Sequence, residues 1–229
     1  MNVAIIPARK GSKRCPGKNT ALINDLSLSQ HTMFTAIKSG VFDRVIVSTN
    51  DEQIIMESKQ MGGVELHLRD EKLSNSTSTM IEVVRNVIKT MGIQKDDVIC
   101  MLAVTNPLRT IEDIKGGIEL YDSLSPKNTV ISVFEMEYPI ELTWKLDENR
   151  NVLVNTHEVL STRKQDFTPS FRWNDAFVID SAKDFLDENR NNFGYNPTPY
   201  FMPAERSFYI DYPWQLEIIK LLMEKNKNQ

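Results

Sequence analysis

Between Val3 and Asn19 the chain passes from an apolar run into five cations, Arg9, Lys10, Lys13, Arg14 and Lys18, punctuated by Gly11 and Gly17. So much local positive charge suits chemistry on a polyanion, and phosphate is the obvious one. Each charge-assisted contact to a phosphate oxygen contributes about 1.5–3 kcal/mol. The glycines permit positive φ, so backbone N–H groups and side-chain cations can converge on one ligand. The run Val3–Ile6 is apolar without alternation, as in a strand covered on both faces of a parallel sheet, and such sheets bind ligands beyond their strands' C-terminal ends. A solvated basic turn is the plainer alternative, and it leaves the paired glycines and the buried strand unexplained.

The spacing disfavours a P-loop kinase or ATPase, which stays only as a third alternative. Five residues, not four, separate Gly11 from Gly17, and Asn19 stands where that motif needs a metal-binding hydroxyl. The following stretch, through Asn24-Asp25 to Ser29, reads as turn rather than as a helix opening on the lysine.

The elements that must position this loop follow a repeated β-α order. Apolar runs at Val3–Ile6, Val45–Val47, Val64–Leu68, Val98–Leu102 and Val130–Phe134 predict strands; periodic segments at Leu28–Ile37, Glu52–Gln60, Thr79–Thr90 and Ile111–Leu120 predict helices. Side-chain oxygens between Asn75 and Ser78 are expected to open the third helix and Thr110 to cap the fourth. A strand at Ala176–Ile179, a helix near Ser181–Glu188, a strand near Tyr200–Met202 and an amphipathic helix at Trp214–Lys225 complete the pattern. The expected fold is a Rossmann-like three-layer α/β/α domain with a mostly parallel sheet. Residues 135–170 break the rhythm, and the short apolar runs Leu142–Leu146 and Val152–Val154 flank a polar turn, which reads as a hairpin-like excursion.

With 229 residues, 41% of them hydrophobic, and no linker or charge block, the chain is expected to form one domain over residues 1–229. A net charge of -4 gives no footing for a nucleic-acid partner. The apolar start is too short for a secretory signal or a membrane span, so no membrane association and a cytoplasmic location are expected. Cys15 and Cys100 have neither CxxC nor metal-site spacing; Cys100 is expected in the core and Cys15 as an ordinary loop residue.

The loop sequence Ile6-Pro7-Ala8-Arg9-Lys10-Gly11-Ser12-Lys13-Arg14-Cys15-Pro16-Gly17-Lys18-Asn19 resembles the signature of the acylneuraminate cytidylyltransferases, which make CMP-activated sialic, pseudaminic and legionaminic acids. The likeness extends through Val47-Ser48-Thr49, Leu68-Arg69, Thr105-Asn106-Pro107-Leu108-Arg109, Thr162-Arg163-Lys164-Gln165-Asp166 and Met202-Pro203-Ala204-Glu205-Arg206, ending at Ile210-Asp211. It implies transfer of CMP from CTP to the anomeric hydroxyl of an acidic nonulosonic sugar, with release of pyrophosphate. CMP activation of an octulosonate or other small acid, or a catalytically impaired CTP-binding homologue, are the alternatives.

That reaction asks a protein chiefly to neutralise and align phosphates. Arg9 and Lys18 are the expected triphosphate ligands and catalytic cations, with Ser12 and the Gly11 backbone donating hydrogen bonds and Lys13 serving the leaving pyrophosphate. Arg14 and Lys10 are expected in solvent, and Lys18, as an exposed cation, is expected to matter for turnover rather than stability. By resemblance, Ala8 and Asn19 help hold the nucleotide, while Arg69 and the hydroxyls at 74 and 76–79, Thr79 foremost, take cytosine and ribose; the bare alternatives are a surface ion pair and a helix entry. Thr105, Asn106, Gln165, Arg172 and Asn174 are the expected sugar contacts, with Arg163 first choice for the sugar's carboxylate. Arg109 serves either as a ligand or as a structural hydrogen-bonding arginine.

A polyanionic nucleotide also calls for Mg2+ held by a few carboxylates. Asp211 is the expected ligand, a helix-cap aspartate being its other reading. The family's usual Asp-Ile-Asp reads Tyr209-Ile210-Asp211 here, so one carboxylate is missing; Glu205 is a conceivable replacement. Ala103 likewise stands where the family carries a glutamine. The resemblance makes the 135–170 excursion a homodimer contact that completes the partner's sugar pocket; an extra hairpin on the sheet edge is the alternative.

Overall fold

The first strand shows why the chain folds in layers. In β1 (Asn2–Pro7) Val3 and Ile5 belong to one apolar cluster, and Ala4 and Ile6 to another. Strand side chains alternate between faces, so both faces of this sheet must be covered. The computed structural model describes residues 1–75, 77–150, 152–153 and 163–227. After β1 come β2 (Leu22–Ile23), β3 (Leu26–Ser27), α1 (Leu28–Ser39), β4 (Arg44–Thr49), α2 (Glu52–Met61), β5 (Glu65–Leu68), α3 (Met80–Thr90), β6 (Val98–Leu102) and α4 (Ile111–Ser123). The remainder runs β7 (Val130–Glu135), β8 (Lys145–Leu146), β9 (Val152–Leu153), β10 (Phe171–Ser181), α5 (Ala182–Leu186), β11 (Thr198–Phe201) and α6 (Pro213–Lys227).

Seven strands form one sheet in the order β11-β7-β10-β6-β1-β4-β5. All neighbours are parallel except β10, which runs antiparallel to both β6 and β7. One face is covered by α1, α2, α4 and α6 through residues such as Met33, Ile54, Ile114 and Ile219; the other by α3 and α5 through Val84, Ile88 and Phe185. This is the expected three-layer, mostly parallel architecture. From β1 the sheet order leads one way to β4 and the other way to β6, so the crevice beyond β1 and β6 is a topological switch point, where such sheets bind ligands.

The helix starts follow side-chain chemistry. Ser27, Thr79 and Thr110 each cap a helix in a reciprocal capping box, with Gln30, Glu82 and Asp113 as partners. The third helix therefore begins at Met80 with Thr79 as its cap, a residue later than expected. The larger departure is β10, which starts at Phe171 rather than Ala176. Polar Arg172, Asn174 and Asp175 hide it in the sequence, because its ladder with β7 shifts register between Trp173 and Val178. The excursion contains the expected hairpin, β8 paired with β9; Val154 of that expectation, with Ser76, Ser161 and Thr162, lies outside the described residues.

Candidate active site

A cavity of about 800 Å3 opens beyond the C-terminal ends of β1, β5 and β6. The basic loop contributes Arg9, Gly11, Ser12, Lys13, Arg14, Lys18 and Asn19; Arg69 and Thr79 come from the segments after β5, Thr105 from the end of β6, and Arg172, Asp175, Tyr209 and Asp211 from the C-terminal third.

The loop is shaped before any ligand arrives. Gly11 and Gly17 take φ of 75° and 70°, the left-handed region that favours glycine. The Asn19 amide donates to the Arg9 carbonyl at 3.1 Å, and buried Cys15 anchors the turn in the core. Lys18 is not the exposed cation the sequence suggested: its side chain is 15% exposed, and Nζ donates to the Ile210 carbonyl at 2.9 Å and lies 3.5 Å from the Asp211 carboxylate. Lys18 therefore ties the loop to the segment before α6 and carries structural weight. Arg14 is exposed, as expected, its side chain 59% so, and it also pairs with Asp211 at 2.9 Å and lies over the Tyr212 ring. Asp211 faces these cations rather than acting as a plain helix cap. Ala8 does not line the cavity; it is buried, and its backbone N–H donates to the Ser48 carbonyl.

The opposite wall is arginine without acid. Arg69 is buried, donating from Nη2 to the Ser48 carbonyl at 2.8 Å and from Nε to the Ser48 hydroxyl at 3.3 Å. Ser48 also bonds Nδ1 of buried His67 at 3.0 Å. Desolvation, reinforced by the nearby charge of Arg9, brings the Arg69 guanidinium down to about 10. Arg9 itself donates to the Asn75 carbonyl at 3.2 Å. Among the described residues no carboxylate lies within ion-pair distance of Arg9 or Arg69, so the surface ion-pair reading of Arg69 is set aside. Thr79 fills two roles at once, capping α3 and lining the cavity beside Met80 and Val83.

Beyond β6, the segment at 105–106 is stitched to the irregular part of β10. The Thr105 hydroxyl donates to Asp175 Oδ2 at 2.5 Å, and the Asn106 amide donates to the Asn174 carbonyl at 3.0 Å. The Asn174 amide donates to the Ser207 hydroxyl, while its carbonyl oxygen accepts from the Ala176 N–H. Asn106 and Asn174 are thus fully buried and absent from the cavity wall, where sugar contacts were expected of them. Asp175, at φ 61°, is the residue this stitching turns toward the cavity. Arg109 is buried as well, donating to the Ala103 and Ala176 carbonyls, which settles it as a structural arginine.

Arg172 donates to the Tyr209 hydroxyl and lies over its ring at 5.2 Å, so the aromatic that replaces the family's aspartate is engaged with an arginine. The pair also borders a second groove of about 1080 Å3, whose walls include Phe171, Phe201, Phe208 and Trp214. Glu205 lines this groove and not the cavity with Asp211, so it does not replace the missing carboxylate there. Arg163 pairs with Asp166 at 3.0 Å, and neither it nor Gln165 lines the cavity or the groove of its own chain. Among the described residues no group of three or more His, Cys, Asp or Glu side chains forms a metal cage. Asp175 and Asp211 in one cavity nevertheless suit Mg2+, which takes one or two carboxylates and completes its octahedron with waters and substrate phosphates.

Residues 3–227 match the cytidylyltransferase family. The chain belongs to it. It is 31% identical over 229 residues to the pseudaminic acid cytidylyltransferase of Campylobacter jejuni serotype O:2, covering 98% of this chain and 97% of that protein. It is 29% identical over 233 residues to the CMP-N,N'-diacetyllegionaminic acid synthase of Legionella pneumophila, covering 98% and 97%. A solved CMP:2-keto-3-deoxy-manno-octonic acid synthetase complexed with CTP superposes with a TM-score of 0.72 at 16% identity, over 98% of this chain and 99% of that one, a likeness of fold. The chain is accordingly a nucleotidyltransferase, and the missed site residues are the ones a loop motif cannot announce. Arg14 and Asp175 depend on what the C-terminal segment and the β10 irregularity bring across the cavity.

Proposed function

We propose that this enzyme transfers CMP from CTP to the anomeric hydroxyl of an acidic nonulosonic sugar of the pseudaminic, legionaminic or sialic type and releases pyrophosphate. The carrying observation is buried Arg69, with no acid beside it, sharing one cavity with Arg9 and the other cations of the loop. A desolvated guanidinium such as that of Arg69, with no carboxylate partner, favours an incoming anion.

In this reading Arg9, Lys13 and Lys18 neutralise the triphosphate, and the Gly11 N–H and Ser12 hydroxyl donate to its oxygens. Cytosine and ribose lie toward Arg69 and Thr79, over Met80 and Val83. The sugar's anomeric oxygen then attacks the α-phosphorus while the bond to the β-phosphate oxygen breaks, and Lys13 stabilises the departing pyrophosphate. The sugar's carboxylate takes Arg172 from the Tyr209 hydroxyl, the planar guanidinium suiting a bidentate acid. Mg2+ bound through Asp211 and the phosphates would supply Lewis-acid charge neutralisation. The enzyme works in the cytoplasm, where CTP is supplied, as a homodimer. Exposed Phe171, Phe201, Phe208 and Trp214 support a covered face near the 135–170 excursion, and in a dimer Arg163 and Gln165 would serve the partner's pocket.

The test is pyrophosphate release from CTP and Mg2+ with a panel of acidic sugars, octulosonate included. Stoichiometric CMP-sugar and pyrophosphate with a di-N-acylated nonulosonic acid are expected. Release without sugar, or none with any acid, would refute the reading.

A further inference from the structure

The tyrosine at 209 removes one of the carboxylates that the resemblance would place at the reaction centre, and the fold offers another from a different element. Asp175 lies where β10 leaves its ladder with β7, at φ 61°, a left-handed conformation that side-chain-bearing residues other than Asn and Asp rarely take. Such conformations persist only where the surroundings over-determine them, and they gather at functional sites. Here the determinants are explicit. Asn106 holds the Asn174 carbonyl, Asn174 holds the Ala176 N–H, and Thr105 fixes one oxygen of the Asp175 carboxylate.

The carboxylate so held faces the cavity that also contains Asp211 and Lys18, and it feels the charges of both. Its own environment compensates it poorly. Its Oδ2 accepts from the Thr105 hydroxyl, and among the described residues no cation lies within ion-pair distance of either oxygen. Asp211, by contrast, already has Arg14 and Lys18 as ion partners. Two carboxylates lining one cavity are drawn together by a divalent cation, and a metal completed by nucleotide phosphates needs no larger protein cage.

We propose that Asp175 is the second carboxylate of the metal site, standing in for the acid lost at Tyr209 and holding a divalent cation jointly with Asp211 and the bound CTP. This rests on the magnesium-dependent transfer proposed above. The asparagines at 106 and 174 are then positioning residues that hold the strand irregularity in shape.

The test measures Mn2+ affinity by electron paramagnetic resonance, with and without CTP, for the whole chain and for Asp175→Asn and Asp175→Gly. Glycine accepts φ 61° without strain, so Asp175→Gly keeps the fold, which circular dichroism verifies. Mn2+ binding in the presence of CTP should weaken about tenfold or more in both variants, with metal-free CTP affinity not reduced. Affinity within twofold of the parent in folded Asp175→Gly would overturn the proposal, as would lost turnover at parental Mn2+ affinity, which would make Asp175 a proton acceptor instead. If the parent itself binds no Mn2+ with CTP and turns over in chelator, the magnesium reading fails first and this proposal with it.

Discussion

Two buried arginines, Arg190 and Arg69, separate architecture from function in this molecule. Arg190 donates to the Asp180 carboxylate and the Thr129 hydroxyl and lies over the Phe185 ring at 4.5 Å. Its charge is answered internally, away from the cavity. Arg69 is buried to much the same degree but finds only the carbonyl and hydroxyl of Ser48, with Arg9 repelling it. A chain that pairs one buried guanidinium with acid and leaves another facing an open crevice has distinguished a structural cation from a receptive one. Burial by itself says little about function, and Arg109, buried on carbonyls alone but away from the cavity, shows that a missing counter-charge is not enough; Arg69 differs in lining the open cavity at the rim of the sheet.

The sharpest way to break this contrast is to neutralise each arginine. Arg190→Met strands the Asp180 carboxylate in the core and should cost about 3–5 kcal/mol in urea unfolding, because removing one partner of a buried pair leaves the other uncompensated. CTP affinity of the folded fraction should not change. A variant that unfolds normally but binds CTP poorly would contradict the structural role.

Arg69→Met should behave in the opposite way. It removes an uncompensated buried charge, so the melting temperature should hold or rise, while kcat/KM for CTP falls about 100-fold, equivalent to about 2.7 kcal/mol. Unchanged kinetics would place the base elsewhere.

A smaller effect sharpens the same idea with the opposite charge. The Asp175 acid is raised from an ordinary value of 3.8 to about 6, so the folded protein holds this proton more tightly than the unfolded chain. Its contribution is fully present below about pH 4 and is lost as pH rises through about 6. Without ligand, Asp175→Gly should flatten the fall in melting temperature across that window and melt higher than the parent at pH 7. An identical slope in both proteins would show that Asp175 is not the titrating group.

The layered fold was legible because β1, β4 and β6 are buried on both faces and so read as continuous apolar runs. The basic loop was legible for a similar reason, since glycines and cations are concentrated within a few residues. Its occupants were harder to rank. Arg14 reads as one more cation until the segment at 209–212 folds back and offers it Asp211. Asn106 and Asn174 have the composition of ligand-binding residues, but each is consumed in shaping β10, a pairing between positions 68 residues apart. Asp175 gave no local signal because its direction depends on a register shift that no periodicity records. Arg163 and Gln165 remain assigned by resemblance, and no surface of the chain's own cavity includes them.

The central claim is that the cationic loop leaving β1 grips the triphosphate of CTP, and a crystal structure of the chain soaked with CTP and no sugar tests it most directly. The account predicts phosphates against Gly11, Ser12, Lys13 and Lys18, with the cytosine toward Arg69 and Thr79. CTP lodged instead in the aromatic groove of Phe171, Phe201 and Trp214, with the loop empty, would contradict it.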